Sequence, residues 1–153
     1  MSIEQRLAGL GLELPAAAKP SFNYVPVVLH EGVAYVSGQM PKVDGEVRVH
    51  GKVGAEVSLA QAKEQARICV LQALACLKLE LGDLSRITKV LKVTGFVASA
   101  AGFNDQPKVI DAASDLLVDA LGPLARHARS AVGVAELPRN AAVEIEFVVA
   151  YAA

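Results

Sequence analysis

Aromatic side chains are scarce in this chain of 153 residues, which contains four Phe, three Tyr and no Trp. Proteins that bind single-stranded nucleic acid usually offer several aromatic side chains along a positively charged groove. An excess of basic residues is missing too, because 15 Lys and Arg face 16 Asp and Glu and leave a formal net charge of −1. The composition therefore argues against a nucleic-acid partner, which would call for a basic patch.

Cysteine is equally sparse, with only Cys69 and Cys76 present. They lie seven positions apart in a helical pattern, about 10 Å along the axis, which is too far for an undistorted disulfide. We therefore predict two thiols in the core. No group of His, Cys, Asp and Glu has metal-ligand spacing, so we expect neither a metal nor another cofactor.

Long apolar runs are absent as well. No segment reaches the length needed to cross a bilayer, and the N-terminus has no basic-then-apolar signal arrangement. We therefore expect a cytoplasmic protein without a membrane partner.

The chain does have ample apolar content, 53% against 20% charged residues, which is typical of a folded protein. Its length suits one domain over residues 1–153. Within it, residues 1–21 read as a short helix and an extended linker, and residues 22–151 read as the core. Near-neutral charge with this much apolar surface also favours burial against another subunit.

Helix and turn signals divide the core clearly. Ser58 and Gln61 form a capping box that begins a long helix, and Gly82 ends it. A second helix begins at Asn104 or Asp105, just before Pro107, and Gly122-Pro123 ends it.

Strands occupy most of the remaining core. The turn Glu31-Gly32 predicts a hairpin between residues 24–29 and 33–37, and a second turn lies at residues 43–47 with a short strand through Val49. Residues 87–97 read as a central strand, and residues 128–134 and 142–151 as the last two. The order predicts an α+β fold, a single sheet of about six strands with two helices on one face, plus the short N-terminal helix. Two helices cover only one sheet face, so a homo-oligomer is expected to bury the other.

Arg129 is unusual because it stands in an otherwise small and apolar strand. A guanidinium in such surroundings is costly unless it meets an anion, so Arg129 is a candidate carboxylate clamp. Its plainer interpretation is a surface ion pair, for which Glu146 is an available partner. Glu144 and Glu146 alternate with large apolar residues and would also fit the solvent face of an edge strand. Two-residue alternation places His127 on the same strand face as Arg129. His127 is therefore either a ligand contact or a structural histidine.

Three segments together resemble the RidA/YjgF family of reactive-intermediate deaminases, also described as endoribonuclease L-PSP-like. They are Val36-Ser37-Gly38-Gln39-Met40-Pro41, the strand Val93-Thr94-Gly95-Phe96-Val97, and the block from Ala128-Arg129-Ser130 through Leu137-Pro138 to Val143-Glu144-Ile145-Glu146. The resemblance covers about residues 22–150. It implies a chorismate-mutase-like fold and a homotrimer with ligand clefts at the subunit interfaces.

The resemblance also implies hydrolysis of 2-imino acids and their enamine tautomers to 2-keto acids and ammonia. Carried over by motif, Arg129 would hold the substrate carboxylate, and Glu144 would handle the attacking water. Tyr24 would stand where the family has its early tyrosine, although a tyrosine opening a strand is often only a packing residue. Ser37 and Gly38 would form a ligand wall, for which close backbone approach is suited, or else a simple strand-end turn.

Two departures from the family pattern bear on activity. Ala131 stands where many deaminase-competent members have a cysteine, although mainly backbone groups are used there. An asparagine near the second helix is missing, and Ile110 or Asp111 stands in that region. An aspartate there would repel a carboxylate substrate. A non-catalytic protein that binds or senses small carboxylates therefore remains an alternative, and ribonuclease activity a weaker one.

Overall fold

The computed structural model describes all 153 residues, Met1 to Ala153. Its helices are α1 (Ile3–Gly9), α2 (Leu59–Leu81) and α3 (Gln106–Leu121). Its strands are β1 (Val27–His30), β2 (Val33–Gln39), β3 (Lys42–Val43), β4 (Glu46–Val47), β5 (Ile87–Ala98), β6 (Ala128–Val134) and β7 (Val143–Tyr151). Five strands form the main sheet in the order β1-β2-β7-β5-β6, and β3 and β4 form a separate two-stranded hairpin.

The α+β architecture is thus confirmed, with one difference in detail. In place of one sheet of about six strands, five strands share the sheet and two short strands stand apart. The first strand begins at Val27 rather than at Tyr24, because the backbone at residues 21–24 bends before pairing starts. None of the three α-helices combines the length and the apolar composition that a membrane crossing requires.

The local signals place the helix ends where the sequence indicates. The predicted capping box forms at Ser58 with Gln61 and begins α2, and a second one, at Ser2 with Gln5, begins α1. Gly82 ends α2 at a φ of 81°, a left-handed conformation that glycine adopts without strain.

The helices cover one face of the sheet. On β7 the four residues that face them are at most 1% exposed: Val143, Ile145, Phe147 and Val149. The alternate residues point to the opposite face, which no helix covers. On that face Val28, Tyr35 and Val132 are 49%, 50% and 43% exposed. One chain therefore leaves an apolar sheet face open, as the count of helices predicts.

Two features of this framework position the site. First, β6 is an edge strand parallel to β5, and α3 connects the two and packs beside β6. Second, the register of β2 against β7 shifts, since Val36 is opposite Phe147 but Gln39 is opposite Ile145. One extra residue on β2 makes a bulge at Ser37-Gly38, and such bulges often redirect side chains beside functional sites.

Candidate functional site

Four of the predicted site residues line one cleft, of about 270 Å³: Tyr24, Ser37, Gly38 and Glu144. The other residues of its wall are Ser21, Phe22, Met40, Lys42, Pro138 and Arg139. The cleft therefore joins the segment before β1, the β2 bulge, the start of β7 and the connection that precedes β7. Its size suits a small molecule.

Glu144 reaches across the bulge and lies directly on Gly38. A Cβ atom added to Gly38 would stand 2.3 Å from Glu144 Oε1, so any larger residue here would force the carboxylate out of its present position. Glu144 is half-buried. Burial raises the pKa of Glu144, and the neighbouring charge of Glu146 raises it further. A carboxylate with a raised pKa accepts a proton more readily, which suits a general base.

The bulge is held from both sides by hydrogen bonds. The Ser37 hydroxyl donates to the carbonyl of Val25 at 2.7 Å, which fixes the segment that carries Tyr24. The buried amide of Gln39 donates to the carbonyl of Ser37 at 3.0 Å. The Ser37 side chain therefore positions the wall of the cleft, while Tyr24 stays 49% exposed and accessible to a ligand.

Arg129 lies elsewhere, at the start of β6 under α3. Its guanidinium donates to Asp111 Oδ1 at 2.7 Å, to Ser114 Oγ at 3.2 Å and to the carbonyl of Pro107 at 3.4 Å. Its side chain is 22% exposed and that of Asp111 is 60% exposed. The anion that the lone arginine requires is thus supplied within the chain, by Asp111 of α3.

The prediction that Glu146 is the ion-pair partner of Arg129 is wrong, because Asp111 takes that place. Arg129 is aligned with Val93 and Phe147, which are buried beneath the helices. Glu146 is adjacent to Phe147 in β7 and so projects from the opposite face of the sheet.

His127 and Ala131 accompany Arg129 rather than the cleft. His127 Nε2 and the Ser114 hydroxyl are 2.9 Å apart, so His127 and Arg129 converge on one serine. Burial is the main cause that lowers the pKa of His127, which keeps the ring neutral at pH 7. Ala131 is opposite Gly95 in β5 and packs against the core.

One chain therefore presents two half-sites on different faces of the sheet. Arg129, His127 and Ala131 face α3, whereas Glu144 alternates away from it and meets Tyr24 and the bulge. Within one protomer, the carboxylate clamp and the water-handling carboxylate do not meet.

Six cleft residues were not predicted as site residues from the sequence, and two of them are cationic, Lys42 and Arg139. Lys42 follows Pro41, and Arg139 lies in the connection before the last strand, so neither stands in a periodic pattern. They come together only because β2 and β7 pair. The two cysteines are, as predicted, free and buried. Burial raises the pKa of both Cys69 and Cys76, so neither is an available nucleophile.

Comparison with known proteins identifies the family. Residues 4–151 match the family described as "YjgF/chorismate-mutase-like, putative endoribonuclease". The chain belongs to this family. It is 42% identical over 148 residues to protein TCP17 of Trypanosoma cruzi, covering 96% of this chain and 92% of that protein. It is 31% identical over 139 residues to a 2-iminobutanoate/2-iminopropanoate deaminase of Dermatophagoides farinae, covering 90% of this chain and 93% of that enzyme.

The fold has close counterparts among solved structures. The Agrobacterium tumefaciens protein Atu1372, of unknown function, superposes with a TM-score of 0.93 at 47% identity, covering 98% of this chain and 92% of that one. The chorismate-mutase-like fold expected of the YjgF family is confirmed, and the residues matched to the family include most of the N-terminal helix α1.

Proposed function

We propose that this protein hydrolyses reactive 2-imino acids and their enamine tautomers to 2-keto acids and ammonia. The observation that carries the proposal is the cleft in which Glu144, with its raised pKa, lies on Gly38 beside Tyr24 and the Ser37 bulge. The similarity to the Dermatophagoides farinae deaminase supports the same chemistry. We also propose a cytoplasmic location, with which two free, buried thiols are compatible.

The reaction asks little of the protein, because a protonated imine carbon is already electrophilic. Arg129 holds the substrate carboxylate through charge-assisted hydrogen bonds. Glu144 orients a water molecule and accepts its proton while the oxygen bonds to C2. Proton return to nitrogen then lets the C–N bond break, so imine and water become keto acid and ammonia. Tyr24 forms a wall against which the substrate is positioned, and most of the rate gain comes from this positioning.

A neighbouring copy completes this arrangement. Arg129 and Glu144 project from different sheet faces, so one substrate can touch both only if they come from two subunits. The open apolar face, with Tyr35 and Val132 exposed, supplies the surface for such contact. We propose a homotrimer with three intersubunit clefts. Light scattering after gel filtration tests this directly, and a monomer at assay concentration would exclude a shared cleft.

The decisive assay generates 2-iminobutanoate or 2-iminopropanoate in situ and follows the disappearance of the imine. We expect acceleration by the wild type, and its loss in Arg129→Ala and in Glu144→Gln. Arg48→Ala is the matched control, since Arg48 pairs with Asp44 at 2.9 Å on the exposed hairpin and lies outside the cleft. No acceleration with any imino acid would refute the deaminase.

Arg129 also favours a second candidate, a protein that binds or senses small carboxylates without turnover. The Arg129–Asp111 pair offers a contact that a ligand carboxylate could exchange. Retained binding of 2-ketobutyrate with no imine hydrolysis would support this candidate. Ribonuclease activity, which the family description mentions, has less support because the chain as a whole carries no basic excess.

A further inference from the structure

The Glu144 cleft contains two cationic side chains for which the proposed reaction has no use, those of Lys42 and Arg139. Neither forms a salt bridge with any carboxylate of the chain. Lys19 adds a third positive charge, since it lines, together with Lys42 and Tyr24, a smaller pocket that adjoins the cleft. A chain of net charge −1 thus concentrates unpaired positive charge at one cleft.

Lys42 is held in place from the core. Its backbone carbonyl accepts a hydrogen bond of 2.9 Å from the amide of Gln72, a residue of α2 that is only 3% exposed. Burial is the main cause that lowers the pKa of Lys42, and the nearby charge of Arg139 adds to it. The positive charges of Lys42 and Arg139 therefore repel one another, and an anion bound between them would offset this repulsion.

Arg139 is placed by an unusual backbone. Arg139 and Asn140 have φ values of 58° and 54°, in the left-handed region that side chains disfavour. The loop around His50 holds them there, since His50 Nδ1 lies 3.0 Å from the Arg139 carbonyl oxygen and the Gly51 amide donates to Asn140 at 3.0 Å. The Arg139 guanidinium donates to Ser21 Oγ at 3.3 Å on the cleft wall. Strain of this kind persists where the surrounding structure imposes it, often at ligand sites.

The proposed reaction already assigns the C1 carboxylate to Arg129 and the C2 carbon to Glu144. Within that reaction, an anion bound at Lys42 and Arg139 is a second group on the same molecule. The cleft, of about 270 Å³, suits a short ligand of this kind.

We propose that Lys42 and Arg139 bind the distal carboxylate of a four- or five-carbon 2-imino dicarboxylate, and of the 2-keto dicarboxylate that its hydrolysis yields. This inference rests on the proposed function, because it assumes that the same cleft holds C2. The hydrolysis is unchanged: water adds to C2, the C–N bond breaks, ammonia leaves, and the distal carboxylate takes no part in bond making.

Calorimetry with two stable products, 2-ketoglutarate and 2-ketobutyrate, tests the assignment. For the wild type we expect the dicarboxylate to bind at least roughly tenfold more tightly, as charge-assisted hydrogen bonds allow. Lys42→Met and Arg139→Met should each lower this ratio of affinities several-fold, and the double variant should abolish it. Lys63→Met is the matched control, since it removes one exposed lysine of α2 outside the cleft and should leave the ratio intact.

Three results would overturn the proposal. Equal affinity of the wild type for both acids would show that no distal carboxylate is recognised. An equal loss of affinity for both acids in the variants would mean that the pair holds the C1 carboxylate instead. Inorganic phosphate competing as well as 2-ketoglutarate would indicate an unspecific anion site. Circular dichroism and thermal melting confirm that each variant is folded before its affinity is compared.

Turnover separates this inference from the proposed function. Each imine, 2-iminoglutarate or 2-iminobutanoate, is generated from its amino acid by an oxidase. The quantity measured is kcat/KM for 2-iminoglutarate divided by kcat/KM for 2-iminobutanoate. A ratio above one that falls in Lys42→Met supports the distal site, and a ratio of one or below contradicts it. If neither imine is hydrolysed, the proposed deaminase fails, while the calorimetric preference still decides whether the dicarboxylate is bound.

Discussion

Replacing Asp111 by asparagine tests whether this chain restrains its own arginine. The substitution keeps the shape of the side chain but removes the charge that meets Arg129 at 2.7 Å. Because Asp111 is 60% exposed, solvent screens the pair, and exposed ion pairs contribute about 0.2–1 kcal/mol. A ligand carboxylate that binds Arg129 must displace or tolerate this interaction.

Repulsion acts in the same direction. Like charges about 4 Å apart repel by about 1 kcal/mol in water and about 4 kcal/mol at an effective dielectric constant of 20. The exposure of Asp111 places the repulsion between it and a ligand carboxylate at the lower end of this range. Together the two effects predict that Asp111→Asn binds 2-ketobutyrate more tightly by a factor on the order of ten.

Calorimetry at low ionic strength measures this change, and Asp119→Asn is the matched control. Asp119 lies on the exposed face of the same helix, two turns from Asp111, and forms no salt bridge. Asp111→Asn should melt close to the wild type, since the lost Arg129–Asp111 pair contributes at most about 1 kcal/mol. Unchanged or weaker binding by Asp111→Asn would refute the reasoning, because it would mean that Asp111 orients Arg129 for the ligand rather than competing with it.

Three further predictions concern close contacts and charge. Gly38→Ala should lower kcat/KM at least roughly tenfold with the fold retained. The new Cβ would stand 2.3 Å from Glu144 Oε1 and would push the carboxylate out of position. Full activity in the imine assay would contradict this. Gly95→Ala should destabilise the fold by about 1–3 kcal/mol, since the new Cβ would stand 2.3 Å from Ile110 Cδ1, and urea unfolding with an unchanged midpoint would disprove the contact. The raised pKa of Glu144 means that the fold disfavours its charged form, so stability from this group is present at low pH and is lost as pH rises through the folded pKa. Glu144→Gln should therefore gain stability over the wild type at pH 7, with the gain shrinking toward pH 4, and a gain that grows on acidification would contradict the sign.

The helices and most strands could be predicted because their signals are local. A capping box needs only Ser58 and Gln61, three residues apart, and the hairpin turn needs only Glu31 and Gly32, which take φ values of 48° and 78°. The alternation of apolar and polar residues along the first part of β7 distinguishes the side that faces the helices from the open side, and it needs no knowledge of the neighbouring strands. Side-chain contacts between residues distant in the sequence could not be predicted. Nothing in the spacing distinguishes Asp111 from Glu146 as the ion-pair partner of Arg129.

The sequence by itself determined that this is an α+β domain, that one sheet face lacks a cover, and that Arg129 needs an anion. These properties follow from periodicity, capping and a charge in an apolar strand, all of which depend on near neighbours. The YjgF type came instead from the resemblance of three motif segments to that family. Only the tertiary structure decided that Asp111 supplies the anion, that Glu144 stands on Gly38, and that Lys42 and Arg139 share its cleft. Such contacts can join residues far apart in the chain, and in the same cleft a hydrogen bond links Arg139 to Ser21, 118 positions away. They depend on strand order and on a one-residue bulge, which set side-chain directions that local patterns leave free.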